Sequence, residues 1–164
     1  MRVRFPEQRQ ALCRLKVEIT VDEPVLLPAQ EYPILHSFAE PFQANVRGYA
    51  LAEIVAEKLR ALLQSQAKLA DRGWGASRVC RDYYDLWYIL SLEKLADIPD
   101  LVAAKCSVRG IRFGTPADFV SPNLIETARR EWNQQLSPFI PAAPAVAKVL
   151  GEVQALILAL FKRN

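Results

Sequence analysis

The sequence predicts an α+β chain with a short β-rich front and a long helical remainder. Three observations predict it. Residues 14–21, Arg-Leu-Lys-Val-Glu-Ile-Thr-Val, alternate polar and apolar side chains, the pattern of a strand with one buried face. Residues 48–64 instead cluster Leu51, Ile54, Val55, Leu59 and Leu62 on one side of a helix at roughly 100° per residue. From about 144 to 162, Val146, Val149, Leu150, Val153, Leu156, Ile157 and Leu160 form a second apolar stripe, marking an amphipathic helix. The expected division is a β front over 1–49 and a helical part over 50–164, folded as one compact unit.

Within the front, residues 24–43 hold four prolines and two short apolar pieces, which predicts loops with a weak strand or two. Ala-Asn-Val-Arg-Gly-Tyr, 44–49, reads as a further short strand leading into a helix at 50–65. The polar, glycine-containing stretch 67–77 then reads as a linker. Ser77 is the expected cap of a helix over 78–92, since a serine oxygen accepts from first-turn amides. A short helix follows at about 99–106. Thr115-Pro116 and Ser121-Pro122 look like helix starts, each placing a hydroxyl residue before a proline at the first helical position. No internal repeat and no low-complexity tract interrupts the pattern.

Composition narrows the function classes. At 164 residues, 51% hydrophobic and 24% charged, the chain is long enough to bury a core. A net charge of +3 permits a phosphate-bearing partner without demanding one. Three cysteines, Cys13, Cys80 and Cys106, follow no metal-ligand spacing, so reduced thiols in a cytoplasm are the expectation. His36 is the single histidine, which excludes multi-histidine zinc sites. The start, MRVRFPEQRQ, lacks the apolar run of a signal peptide. The longest apolar run, 155–161, is too short for a membrane span, so no membrane partner is expected.

One residue breaks the helical pattern. Lys58 lies inside the stripe of the 50–65 helix, one turn after Ile54 and one turn before Leu62. An ammonium is rarely buried without a partner, because removing its water costs several kcal/mol, on the order of 2–7 even for a neutral polar group. The next helix offers that partner. Asp82 flanks the stripe of Val79, Tyr83, Leu86 and Leu90, and Asp85 follows it at the i+3 spacing. Two readings stay open on pattern alone. One is an interhelical ion pair, which is weak evidence of stability. The other is a lysine and a carboxylate at the floor of a cleft, set to position phosphate.

The order LKVEIT, LAEIVAEKLRALL and RDYYDLWYIL resembles the AbiEii/AbiGii family of nucleotidyltransferase toxins, in the DNA-polymerase-β-like superfamily. Glu18 matches a strand acid, and Glu53 and Lys58 match a helix pattern E-x-x-x-x-K. Arg81, Asp82, Tyr84, Asp85 and Leu86 match the closing segment. The resemblance covers roughly residues 14–92. It implies that the front is part of a nucleotidyltransferase sheet with a helical bundle behind it. It also implies transfer of a nucleotide from a nucleoside triphosphate to an RNA acceptor (tRNA in some members), and an antitoxin partner. Carried over by position, Lys58 would meet the triphosphate, Asp82 would hold Lys58 or orient the acceptor, and Glu18 would complete a magnesium or base site.

The sequence also departs from the family. It contains no Gly-Ser pair and no Asp-x-Asp, whereas in the family the paired aspartates hold the catalytic Mg²⁺. Met1 falls about where the family's second catalytic strand ends, so an N-terminal segment is expected to be lacking. Transfer by this chain alone is therefore not expected, nor is a resident Mg²⁺ or nucleotide cofactor, although the charge of Lys58 is expected to attract a triphosphate weakly without turnover. A strand deprived of its neighbour presents unpaired backbone groups, which predicts a homodimer through the exposed sheet edge. The alternative is a non-catalytic helical module that binds nucleotide, RNA or antitoxin. Weaker candidates are Trp74, read as a plug under its loop ahead of a base-stacking residue, and Arg109, Arg112, Arg129 and Arg130, read as solvated charge or a basic rim.

Overall fold

The computed structural model describes residues 23–35, 43–140 and 142–162, together with 2–3, 7, 9–10, 13–14 and 19 near the N-terminus. Strands β1 (Arg2–Val3) and β2 (Cys13–Arg14) pair antiparallel. Strands β3 (Gln30–Pro33) and β4 (Asn45–Gly48) form a second antiparallel pair, with Tyr32 opposite Val46. Five α-helices follow: α1 (Leu51–Arg72), α2 (Val79–Leu92), α3 (Ile98–Val108), α4 (Pro122–Leu136) and α5 (Val146–Leu160). The α+β class is thus as the sequence predicts. The predicted strand 14–21 lies mostly outside the described residues. Ile19, expected on its apolar face, is 81% exposed.

The helices bury their apolar stripes against one another. Helix α1 packs on α2 and α3, and α2 packs on α4 and α5. Val55, Leu59 and Leu62 of α1, Val79, Tyr83 and Leu86 of α2, and Val149, Val153 and Ile157 of α5 share one core with Val102, Leu124 and Trp132. Each fully buried Leu or Ile contributes about 1.5–3 kcal/mol relative to exposure. The Tyr83 hydroxyl donates to the Phe119 carbonyl at 2.7 Å, which lets a phenol sit in this core without an unmet donor. No helix among the described residues is long and apolar enough to cross a membrane.

Two expected boundaries move. Helix α1 does not stop at 65 but runs to Arg72, because residues 66–72 are helix formers with no glycine or proline. It ends at Gly73, whose φ of 75° is the left-handed turn that glycine adopts without cost. Ser77 does not cap α2. Arg78 occupies that position with φ 66°, and no side chain bonds to the first turn. The Thr115 signal is real but starts a short 3-10 turn, Pro116–Val120, with a reciprocal capping box between Thr115 and Asp118. Ser121-Pro122 opens α4 as expected, although the serine makes no cap bond.

Candidate functional site

Lys58 projects from α1 toward α2, where two carboxylates receive it. Its ammonium lies 3.2 Å from Asp82 Oδ1 and 2.5 Å from Asp85 Oδ2. The contact follows from helix geometry: Lys58 sits on the core-facing stripe of α1, and the i+3 spacing sets Asp82 and Asp85 on one side of α2. The three side chains are 20%, 14% and 44% exposed, so the lysine lies at the rim of the core with one acid below it and one toward water. Burial alone would lower the Lys58 pKa. The hydrogen bond it donates to Asp85 and the charge of Asp82 outweigh it and hold the ammonium above its usual 10.5. Burial and the like charge of Asp85 push Asp82 above its usual 3.8, although Lys58 pulls the other way. One cation thus serves two acids.

Beside this group is an open depression of about 300 Å³, walled by Gln64, Ser65 and Lys68 of α1, and by Ser77, Arg78 and Asp82 at the entry to α2. Asp82 therefore faces both Lys58 and the depression. The neighbouring motif residues serve packing. Arg81 donates to the Gln135 carbonyl at 3.3 Å and lies over the Phe139 ring. Tyr84 packs among Trp87, Tyr88 and Trp132. Cys80 and Cys106 are buried free thiols, and burial pushes Cys80 up to about 11, where a thiol is unreactive at neutral pH.

The family model of the nucleotidyl transferase AbiEii toxin, of a type IV toxin–antitoxin system, matches residues 1–155. The chain belongs to the AbiEii family. Neither a curated protein nor a solved structure matches it. As an AbiEii member it is a nucleotidyltransferase toxin of a type IV toxin–antitoxin system, and an antitoxin partner is implied.

Whether the AbiEii residues present would suit a divalent metal depends on their carboxylates. Among the described residues no group of three acids, histidines or cysteines converges. Asp82 and Asp85 do converge, but on an ammonium, which competes directly with a cation for the same oxygens. The described residues therefore do not fit a metal ion. Glu18, the expected strand acid and metal ligand, lies outside the described residues, as does His36.

Glu53, which matches the AbiEii helix pattern, does not join Lys58. It faces α3, where Lys105 Nζ lies 2.5 Å from it and 2.6 Å from Glu57. Lys105 also donates to the Pro24 carbonyl at 2.6 Å. Glu53 accepts from the Leu26 and Leu27 amides at 2.9–3.2 Å. This buried knot fastens residues 24–27 to α1 and α3. Sequence reasoning missed it, although Glu53, Glu57 and Arg60 recur at helical spacing and Lys105 interrupts the apolar run of α3. The expected basic rim is largely spoken for. Arg109 binds Glu23, Arg129 binds Glu126 and Arg130 binds Glu131. Trp74 is 69% exposed. The plug reading of this residue is thus corrected: glycines with positive φ on both sides turn the loop away from the helices that would cover it.

Proposed function

We propose that this chain contributes the phosphate-facing, helical side of a nucleotidyl-transfer centre. Lys58 is the cation that meets the triphosphate of a bound nucleotide, and Asp82 and Asp85 hold it in place. The observation that carries this reading is the lysine bracketed by two acids at the edge of an open depression. Lys105 is sealed between its two acids, whereas the partly hydrated ammonium of Lys58 keeps its charge and its direction until phosphate oxygens compete for it. Catalysis of phosphoryl-type transfer is mostly positioning and charge stabilisation, and a fixed lysine supplies both. The acceptor in this reading is RNA, with tRNA as one class. Glu18 belongs to the strand side of the same centre.

A second reading, a non-catalytic module that binds nucleotide, RNA or antitoxin, draws on the commitment of both aspartates to Lys58. Incorporation of labelled nucleoside triphosphate into RNA separates the two, run over all four nucleotides with Mg²⁺. The 164-residue chain is expected to transfer nothing alone. Fusion behind a Gly-Ser/Asp-x-Asp strand should give transfer that Lys58→Ala removes. Transfer by the fusion that survives Lys58→Ala would contradict the role of Lys58, and no transfer by the fusion would favour the binding module.

A further inference from the structure

The segment after α3 is turned back against α1. Gly110 adopts φ 62°, and the Ile111 amide donates to the Cys106 carbonyl at 2.9 Å, which closes the helix end. Ile111 packs against the core that holds Leu63, while Arg112 stays exposed. An open trough of about 410 Å³ lies between this segment and the second half of α1. Leu63, Ala67 and Ile111 give it an apolar lining, and Lys68 and Arg112 border it from α1 and from the segment after α3. No carboxylate lines it among the described residues. Neighbouring cations are neutralised, since Arg60 on the same helix is met by Glu57 and Arg109 by Glu23. Lys68 and Arg112 have no ion-pair partner among the described residues. Lys68 also borders the depression beside Lys58, but Lys58, Asp82 and Asp85 do not line the trough.

We propose that this trough docks an acidic, amphipathic segment of a partner protein, with an apolar side chain against Leu63, Ala67 and Ile111 and carboxylates on Lys68 and Arg112. Charge complementarity carries the choice. Protein interfaces combine an apolar centre with a polar rim, and two cations without acids of their own favour a partner that brings them. A nucleic acid would supply anions, but no aromatic side chain lines the trough to stack a base. A small anion would leave much of its surface in water here, whereas small-molecule sites enclose most of their ligand. A peptide needs cover on one face only, as when an amphipathic helix lays its apolar side in a groove. The proposal goes beyond the nucleotidyl-transfer reading and stands without it, because it uses neither Lys58 nor a bound nucleotide.

The probe is a fluorescein-labelled, capped peptide that repeats Glu-Leu-Leu-Glu, compared with one form carrying Lys for Glu and another carrying Ser for Leu. Fluorescence anisotropy measures their binding to the full chain, to Lys68→Glu/Arg112→Glu and to Ala67→Glu. All three positions are exposed, and circular dichroism checks that the helices persist. Wild type should bind the acidic peptide and neither of the other two forms. The double variant should bind the acidic peptide at least about tenfold more weakly, because like charges then face each other, and should bind the lysine form in its place. Ala67→Glu should also weaken the acidic peptide by putting a carboxylate among the apolar lining. Amide NMR shifts should locate the peptide, moving at Ala67, Gly110 and Ile111 of wild type. Absence of acidic-peptide binding, equal binding by wild type and the double variant, or shifts confined to other residues overturns the proposal. Shifts at these amides produced only by single-stranded RNA, or only by raising the protein concentration, also overturn it and assign the trough to nucleic acid or to a second copy of the chain.

Discussion

Lys58 and Lys105 are both lysines set in apolar helix faces, and the structure gives them opposite settings. Lys58 is 20% exposed between two acids at the mouth of a depression, whereas Lys105 is 2% exposed inside a sealed knot. The first arrangement can exchange a carboxylate for an incoming anion, and the second cannot without unfolding its surroundings. Lys105→Met should therefore destabilise the fold by about 3–5 kcal/mol, because it leaves the Glu53 carboxylate buried without its counter-charge. Denaturant unfolding monitored by circular dichroism measures this, and a change below about 1 kcal/mol would mean that the knot is incidental. Lys58 was legible in the sequence because a charge in an apolar stripe has few explanations, and Asp82 and Asp85 stand at the spacing that answers it. Lys105 was not, since its partners come from a helix some fifty residues earlier and from the backbone of a proline-rich loop.

Among the elements, the knot that joins residues 24–27 to α1 and α3 carries a pH signature. Burial pushes Glu53 and Glu57 up. Hydrogen bonds from Lys105 to both, from Leu26 and Leu27 to Glu53, and from Arg60 to Glu57 outweigh it and hold both below the ordinary 4.5. Groups with lowered folded values contribute stability that is complete above the unfolded value and lost as pH falls through the folded one. Stability should thus decline on acidification below about 4.5. Lys105, held above 10.5, contributes fully below 10.5 and loses that contribution only as pH rises through its folded value. Asp82, raised above 3.8, opposes the carboxylates of the knot, because its ionisation on raising the pH costs stability. Unfolding midpoints across this range should therefore fall toward acid, and less steeply in Glu53→Gln; a flat profile would contradict the assignment. At the end of α1, Gly73→Ala should cost about 1 kcal/mol, read from the same unfolding curves; its φ of 75° rather than any contact is the reason, since no atom lies within 4 Å of an added Cβ. Helix positions were legible from periodicity. Ends were less so: the 66–72 extension looked like a linker because its polar residues hide a helix whose outer face meets only water.

For the whole molecule, the described strands form two isolated pairs, and β3 and β4 have no third strand beside them among the described residues. Val46, Tyr49, Ile34 and Leu35 are exposed around that pair. Short two-stranded ribbons are marginal alone; the homodimer expected through the edge of the 14–21 strand concerns residues mostly outside those described, and it stands as a proposal. Light scattering at rising concentration should show a dimer, and a strict monomer throughout would contradict it. The α+β class and the order of helices were legible because apolar stripes of several turns admit few other folds, while the packing of the front rests on tertiary contacts that leave no local signature. Membership in the AbiEii family gives these elements a common purpose, and the central claim is that Lys58 serves a triphosphate rather than the fold. Calorimetric titration of each nucleoside triphosphate into wild type and Lys58→Ala, with unfolding midpoints of both proteins, tests it most directly. The account predicts that Lys58→Ala weakens nucleotide binding at least about tenfold and leaves the midpoint within the range of an exposed pair, about 1 kcal/mol. Equal nucleotide affinity in the two proteins, with a large loss of stability in the variant, would show that Lys58 holds the helices together and nothing more.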